Sequence, residues 1–192
     1  ELQREHPEQE FVLFQSDLQN PFAVEQLIGG VLDVFGELNL LINNAAIFEA
    51  STIRESHFDL LDRLMMVNYR APFLLIRDFA RKAGAGIIIN MADTRITNSQ
   101  SDHAAYSLSK KALWELTKMA ALELAPDIRV NAIAPGVIQT AMTADLPQET
   151  RARLMKQSNI NRVGMPTEVA SVIVYLASNM SSFVTGQVVR ID

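Results

Sequence analysis

Five short apolar runs divide this 192-residue chain, and their spacing restricts the folds open to it. FVLF (residues 11–14), NLLIN (39–43), GIIIN (86–90), IRVNAIA (128–134) and QVVRI (187–191) read as β-strands. Three of them are apolar almost throughout, as strands covered on both faces are. Between them, residues 21–35, 56–82, 104–124, 148–157 and 167–177 carry helical patterning. Pro21 after Asn20 and Thr167-Glu168 after Pro166 are helix-start signals. Strand, helix and strand repeated in this way require parallel strands joined by right-handed crossovers. The expected fold is therefore a doubly wound, parallel α/β sheet in one domain spanning residues 1–192.

Composition narrows the function classes. Apolar residues make up 48% and charged residues 20%, ordinary values for a soluble globular protein. A net charge of −5 argues against a nucleic-acid partner, which calls for a basic patch or stripe. With no cysteine, disulfides, thiol catalysis and cysteine–zinc sites are excluded. His6 and His57 have no partner pattern, so no metal site is expected. No apolar run approaches the roughly 20 residues of a membrane span. ELQREHPEQE at the start lacks the apolar centre of a signal peptide. A soluble, cytoplasmic protein with a small-molecule partner is the expectation.

In a sheet of this type, ligands bind beyond the carboxyl ends of the strands. Four polar or small-residue stretches fall there: Ser16-Asp17-Leu18, Asn43-Asn44-Ala45-Ala46, Asn90 to Asp93, and Ala134-Pro135-Gly136. Turn chemistry explains any one of them, whereas four in register favour a shared site. Just beyond the third lies Tyr106-x-x-x-Lys110, whose side chains share one helical face. Alone, this is an ordinary helix-surface pair. After a buried strand and a polar loop it reads as a proton-transfer pair, because a nearby ammonium lowers the phenol's pKa from about 10.

Asn-Asn-Ala, Tyr-x-x-x-Lys and Pro-Gly, in this order and context, resemble the short-chain dehydrogenase/reductase family, whose sheet is Rossmann-like. The similarity runs from Asp17 to Thr185-Gly186-Gln187. It implies hydride transfer between a nicotinamide cofactor and a substrate double bond. By this resemblance Tyr106 is the catalytic acid/base, and Lys110 binds the nicotinamide ribose and tunes the tyrosine. Asn68, in MVNYR, matches an asparagine supporting a proton relay. Asp17 and Leu18 match the pair beside the adenine, and Asn44 with Ala45 matches a cofactor contact. Pro135, Gly136 and Thr140 match the segment bordering the carboxamide. The family's Gly-rich pyrophosphate turn and second strand are absent, and the chain stops at Asp192 where relatives continue. A longer native protein is expected, by about 50 residues for a βαβ unit and its following helix.

Asp93 departs from the family pattern, which has serine thirteen residues before the tyrosine. A serine hydroxyl suits a carbonyl oxygen that gains negative charge, whereas an ionised carboxylate repels it. Asp93 instead suits a substrate with N–H donors, or a C=N bond whose nitrogen takes a proton. The substitution resembles the pteridine reductase and dihydromonapterin reductase subgroup, as does an aromatic soon after Asn-Asn-Ala, here Phe48. Phe48 is read as stacking a flat substrate ring, or else as an ordinary core or surface aromatic. The resulting expectation is an NADP(H)-dependent, rather than NAD(H)-dependent, reductase of pterin-like substrates. A carbonyl or enone reductase is the alternative, and a cofactor-binding sensor or scaffold is the non-enzyme alternative.

Other signals are given ordinary roles. His103 is read as a solvated helix-start histidine, Arg95 as a surface loop charge and Trp114 as a core or interface residue. By resemblance, residues 141–157 cover the substrate, and helices 56–82 and 104–124 form subunit contacts of a homotetramer.

Overall fold

The computed structural model describes residues 2–97, 101–140 and 160–192, with the single positions Glu149, Met155 and Ser158. The expected helix at 148–157 therefore lies almost wholly outside the described residues, as does most of the expected substrate cover. In chain order the elements are α1 (Leu2–Glu5), α2 (Pro21–Phe35), β1 (Leu40–Asn43) and α3 (Phe58–Met65). A π turn (Met66–Arg70) leads into α4 (Ala71–Lys82), followed by β2 (Gly86–Met91) and a 3-10 turn (Thr94–Ile96). Then come α5 (Ala104–Leu124), β3 (Ile128–Pro135), α6 (Pro166–Ala177), a second 3-10 turn (Asn179–Ser181) and β4 (Val188–Ile191).

The strands form one parallel sheet in the order β1-β2-β3-β4. Successive side chains on a strand point to opposite faces, and the two cores divide accordingly. Ile88, Ile128 and Val130 pack with Val24 and Ile28 of α2, Leu75 and Phe79 of α4, and Leu113 and Leu116 of α5. Ile89 and Ile133 face the other way, against Val169 and Leu176 of α6. With helices on both faces, the sheet is doubly wound and Rossmann-like. Burial on both sides is why β2 and β3 read as unbroken apolar runs.

The helix-start signals act through local chemistry. Asn20 Oδ1 accepts hydrogen bonds from the Phe22 and Ala23 amides, and Pro21 follows it in the first turn of α2. Gly36, at φ +75°, closes α2 in the left-handed region. Between α3 and α4 the chain leaves α geometry at Met66–Arg70. Pro72 has no N–H for the carbonyl of Asn68 four residues earlier, a local cause for an altered turn.

One expected strand is absent. Residues 11–14 are not in a strand, and Leu13 is 94% exposed. A strand needs a hydrogen-bonding neighbour, and among the described residues β1 pairs only with β2. The apolar run makes other use of itself: Phe14 lies over Gly30 of α2.

Candidate active site

The carboxyl ends of β1, β2 and β3 deliver the candidate residues to one edge of the sheet. Beneath them runs a buried polar chain. Asn43 Nδ2 donates to Asn90 Oδ1 (2.8 Å), and Asn90 Nδ2 donates to Thr117 Oγ1 of α5 (2.9 Å). It ties β1, β2 and the helix carrying Tyr106 together, with every member satisfied.

Tyr106 and Lys110 are both buried on α5. The Tyr106 hydroxyl donates to Asp93 Oδ2 at 2.8 Å. The other Asp93 oxygen accepts the Arg95 amide at 2.7 Å, capping the 3-10 turn after β2. Lys110 Nζ donates to the Met91 carbonyl at 2.6 Å and stands 6.0 Å from the centre of the Tyr106 ring. This corrects the expectation that the lysine lowers the phenol's pKa. Burial, then the charge and hydrogen bond of Asp93, push the Tyr106 phenol well above its ordinary value. Burial also pushes the Lys110 ammonium down to about 8, against an opposing pull from Asp93.

Asn68, in the π turn, holds the loop after β1. Its Oδ1 accepts the Ile47 amide (2.8 Å), while Nδ2 donates to the Ile47 carbonyl (2.9 Å) and to Ser109 Oγ (3.1 Å). Ser109 Oγ in turn donates to the Tyr106 carbonyl (2.7 Å). The side chain of Asn68 thus registers the Phe48 loop against the turn of α5 that bears the tyrosine.

Phe48 is drawn into this centre. Its ring stacks on His103 (centroids 4.5 Å apart, planes 18° apart) and meets Tyr106 edge-on (4.7 Å, 90°). Arg95 lies over the Phe48 ring at 5.7 Å and bonds Asp102 at 3.1 Å. His103 and Arg95 therefore correct the sequence reading: their side chains are only 13% and 19% exposed. His103 Nδ1 is 3.2 Å from Asp102 Oδ2, in contact but off the line of a well-formed hydrogen bond. Burial raises the Asp102 pKa, and the contacts from His103 and Arg95 outweigh it, leaving a net depression. The signal for His103 was its place one helical turn before Tyr106, on a shared face. Trp114, as expected, packs in the core with Ala92, Ile96, Ala132 and Ala134.

The residues matched to a dinucleotide are held by local contacts of their own. Asn44 and Ala45 are exposed just past β1. Pro135 ends β3, and a Cβ on Gly136 would come within 2.8 Å of Asp192 Cβ. The segment leading to exposed Thr140 is fixed by a parallel bridge between Ile138 and Gly164. Asp17 Oδ1 caps its own turn by accepting the Gln19 amide, while Leu18 packs against the larger core. Beside them Ser16 Oγ is buried with no hydrogen-bond partner among the described residues. Lys110 has three N–H donors and, among the described residues, one protein acceptor, which leaves two for a vicinal diol. These features fit a dinucleotide.

Among the described residues, no cluster of three or more His, Asp or Glu could hold a metal ion, and no helix is long and apolar enough to cross a membrane.

Comparison with known proteins agrees with this fold. Residues 1–192 match the family model described as Enoyl-(Acyl carrier protein) reductase. The chain is 33% identical over 179 residues to a 3alpha-hydroxysteroid dehydrogenase of Mediterraneibacter gnavus, covering 91% of this chain and 72% of that one. It is 34% identical over 173 residues to the 3-oxoacyl-(acyl-carrier-protein) reductase FabG of Thermotoga maritima, covering 88% and 70%. The crystal structure of a blue fluorescent protein from a metagenomic library, in complex with NADPH, superposes with a TM-score of 0.87 at 29% identity, covering 93% of this chain and 73% of that one. The chain belongs to the short-chain dehydrogenase/reductase family and is an NAD(P)-dependent oxidoreductase.

Proposed function

We propose that the protein reduces a ring C=N bond of a pterin-like substrate, with NADP(H) preferred over NAD(H). The observation that carries this reading is the Asp93 carboxylate, hydrogen-bonded at 2.8 Å to the Tyr106 hydroxyl. A carboxylate beside the reacting atoms opposes a developing alkoxide but accepts the N–H groups of a pterin. The dinucleotide, when bound, supplies the hydride and leaves oxidised. Tyr106 Oη gives its proton to the ring nitrogen, so C=N becomes CH–NH. Asp93 orients that hydroxyl and accepts a substrate N–H. Lys110 holds the ribose with its remaining N–H donors. Asn68 keeps the Phe48 loop in register, and Phe48 holds the substrate ring flat. Asp17, Leu18, Asn44, Ala45, Pro135, Gly136 and Thr140 line the dinucleotide. The cofactor preference is supported by the NADPH-bound structural neighbour, and the ratio of kcat/KM for NADPH and NADH tests it.

A carbonyl reductase is the second reading, favoured by the names of the two relatives above. Dihydrobiopterin, dihydrofolate and simple ketones, followed by loss of NADPH absorbance, separate the two. On the pterin reading, Asp93→Ser lowers dihydropterin turnover by about tenfold or more while the fold persists. Undiminished dihydropterin turnover in that variant would reject the role given to Asp93. We also propose a homotetramer. Exposed Phe58, Leu61, Phe73, Leu108, Met119 and Leu122 on α3, α4 and α5 support contacts through those helices, which light scattering of the purified protein tests.

A further inference from the structure

We propose that His103 is the positioning residue that fixes Phe48 as the substrate-selecting wall of the site, and that this wall favours a flat, conjugated substrate over a saturated one of equal size. The proposal rests on the reading of Tyr106 as the reacting acid, but not on the pterin.

Phe48 sits in a loop and remains 40% exposed, so the hydrophobic core does not hold it. A closed circuit of contacts holds it instead. Tyr106 bonds Asp93, Asp93 caps the Arg95 amide, and Arg95 bonds Asp102. Asp102 abuts His103, His103 stacks on Phe48, and Phe48 returns edge-on to Tyr106. The backbones at the stack are fastened as well. Ser51, three residues past Phe48, takes the Asp102 carbonyl on its own amide (2.9 Å) and offers its carbonyl to the Ala104 amide (2.9 Å). The loop after β1 and the start of α5 thus move as one piece, and the imidazole sets the pitch of the phenyl ring above the tyrosine.

Stacked aromatics gain beyond simple area burial only when ring faces are presented at a defined offset. A phenyl ring held at a fixed angle gives that gain to a planar substrate and withholds it from a puckered one. His103 touches neither proton nor hydride in this scheme. Its loss should therefore act on KM rather than kcat.

The test compares a phenyl ketone with its cyclohexyl counterpart, in wild type, His103→Ala and His103→Phe. Where dihydrobiopterin alone is turned over, its KM replaces the ratio. His103→Ala is expected to raise KM for the flat substrate by about threefold to tenfold. Its kcat, the KM for NADPH and the KM for the saturated ketone should hold. His103→Phe keeps a stacking ring without the imidazole and should restore most of the discrimination. A ratio unchanged in His103→Ala, or a loss equal in both variants, overturns the proposal. So does a wild type that does not discriminate. Failure of dihydropterin turnover alone bears on the pterin reading and leaves the ketone ratio readable.

Discussion

Replacing Lys110 by Met gives a test of the site's electrostatics that needs no substrate. Lys110 is only 3% exposed, and burial lowers its pKa from 10.5 to about 8. The unfolded chain keeps the ordinary value, so at neutral pH the folded state carries a charged amine that burial disfavours by about 3 kcal/mol. Below pH 8 both states bind the proton and this penalty is fully present. Between about pH 8 and 10.5 the unfolded state holds a proton that the folded state has released, so stability rises with pH. For these two pKa values the gain from about pH 7 to pH 9 is roughly 1 kcal/mol. Above about pH 10 the raised pKa of Tyr106 works in the opposite direction, because the unfolded phenol ionises first. The window below pH 9.5 therefore isolates the lysine.

Met fills a similar volume and cannot titrate. Its substitution also removes the hydrogen bond to the Met91 carbonyl, which shifts the absolute stability of the variant by an amount that does not depend on pH. The pH slope is thus the informative quantity. Urea unfolding of the dinucleotide-free protein should show wild-type stability climbing relative to Lys110→Met by roughly 1 kcal/mol between about pH 7 and 9. Parallel pH profiles would mean that burial does not depress the Lys110 amine, which would then stay fully charged across this range.

Three other substitutions probe the scaffold and the acid. Tyr106→Phe should cut turnover by about 10²–10⁴-fold with little change in melting temperature, and near-normal kcat would remove Tyr106 as the acid. Gly86→Ala should cost more than about 2 kcal/mol in urea unfolding, since Gly86 sits at φ +142° and a Cβ there would lie 2.6 Å from the Asn39 carbonyl oxygen. Asn90→Leu leaves Asn43 and Thr117 without their shared partner in the interior and should cost about 2–4 kcal/mol. A loss within experimental error would show that this polar chain is not a structural tie.

The sheet was legible wherever burial left a mark on composition. β2 and β3 are covered on both faces, and their apolar runs predict them to within one residue at the carboxyl end. α2 was legible because Asn20, Pro21 and Gly36 carry its start and stop chemistry. Residues 11–14 have the same apolar pattern, yet that pattern records a tendency to be buried, not the presence of a hydrogen-bonding neighbour. The π turn around Asn68 follows from a proline four residues later and leaves no periodic trace. His103 was misread for a related reason. Its partner Phe48 lies in an aperiodic loop, and long-range contacts such as the bridge at Ser51 bring the two together.

The sequence placed Asp93 as an isolated oddity, and the structure gives it two tasks on two oxygens. One oxygen caps the turn that positions Arg95, and the other holds the phenol of Tyr106. The shape of the loop after β2 and the protonation of the tyrosine are consequently tied to one side chain. A serine there could cap the turn or meet the hydroxyl, but it would bring no negative charge to raise the phenol's pKa. An asparagine keeps an oxygen for the Arg95 amide and removes the charge. Comparing Asp93→Asn with Asp93→Ser therefore separates geometry from electrostatics at this position. If Asn preserves the stability of the loop yet the alkaline limb of the activity profile moves to lower pH, the charge on Asp93 is what holds the protons of the Tyr106–Lys110 pair, both of whose pKa values it raises. If the limb stays in place, the charge on Asp93 governs neither proton in the working range, and Asp93 serves the fold and the substrate.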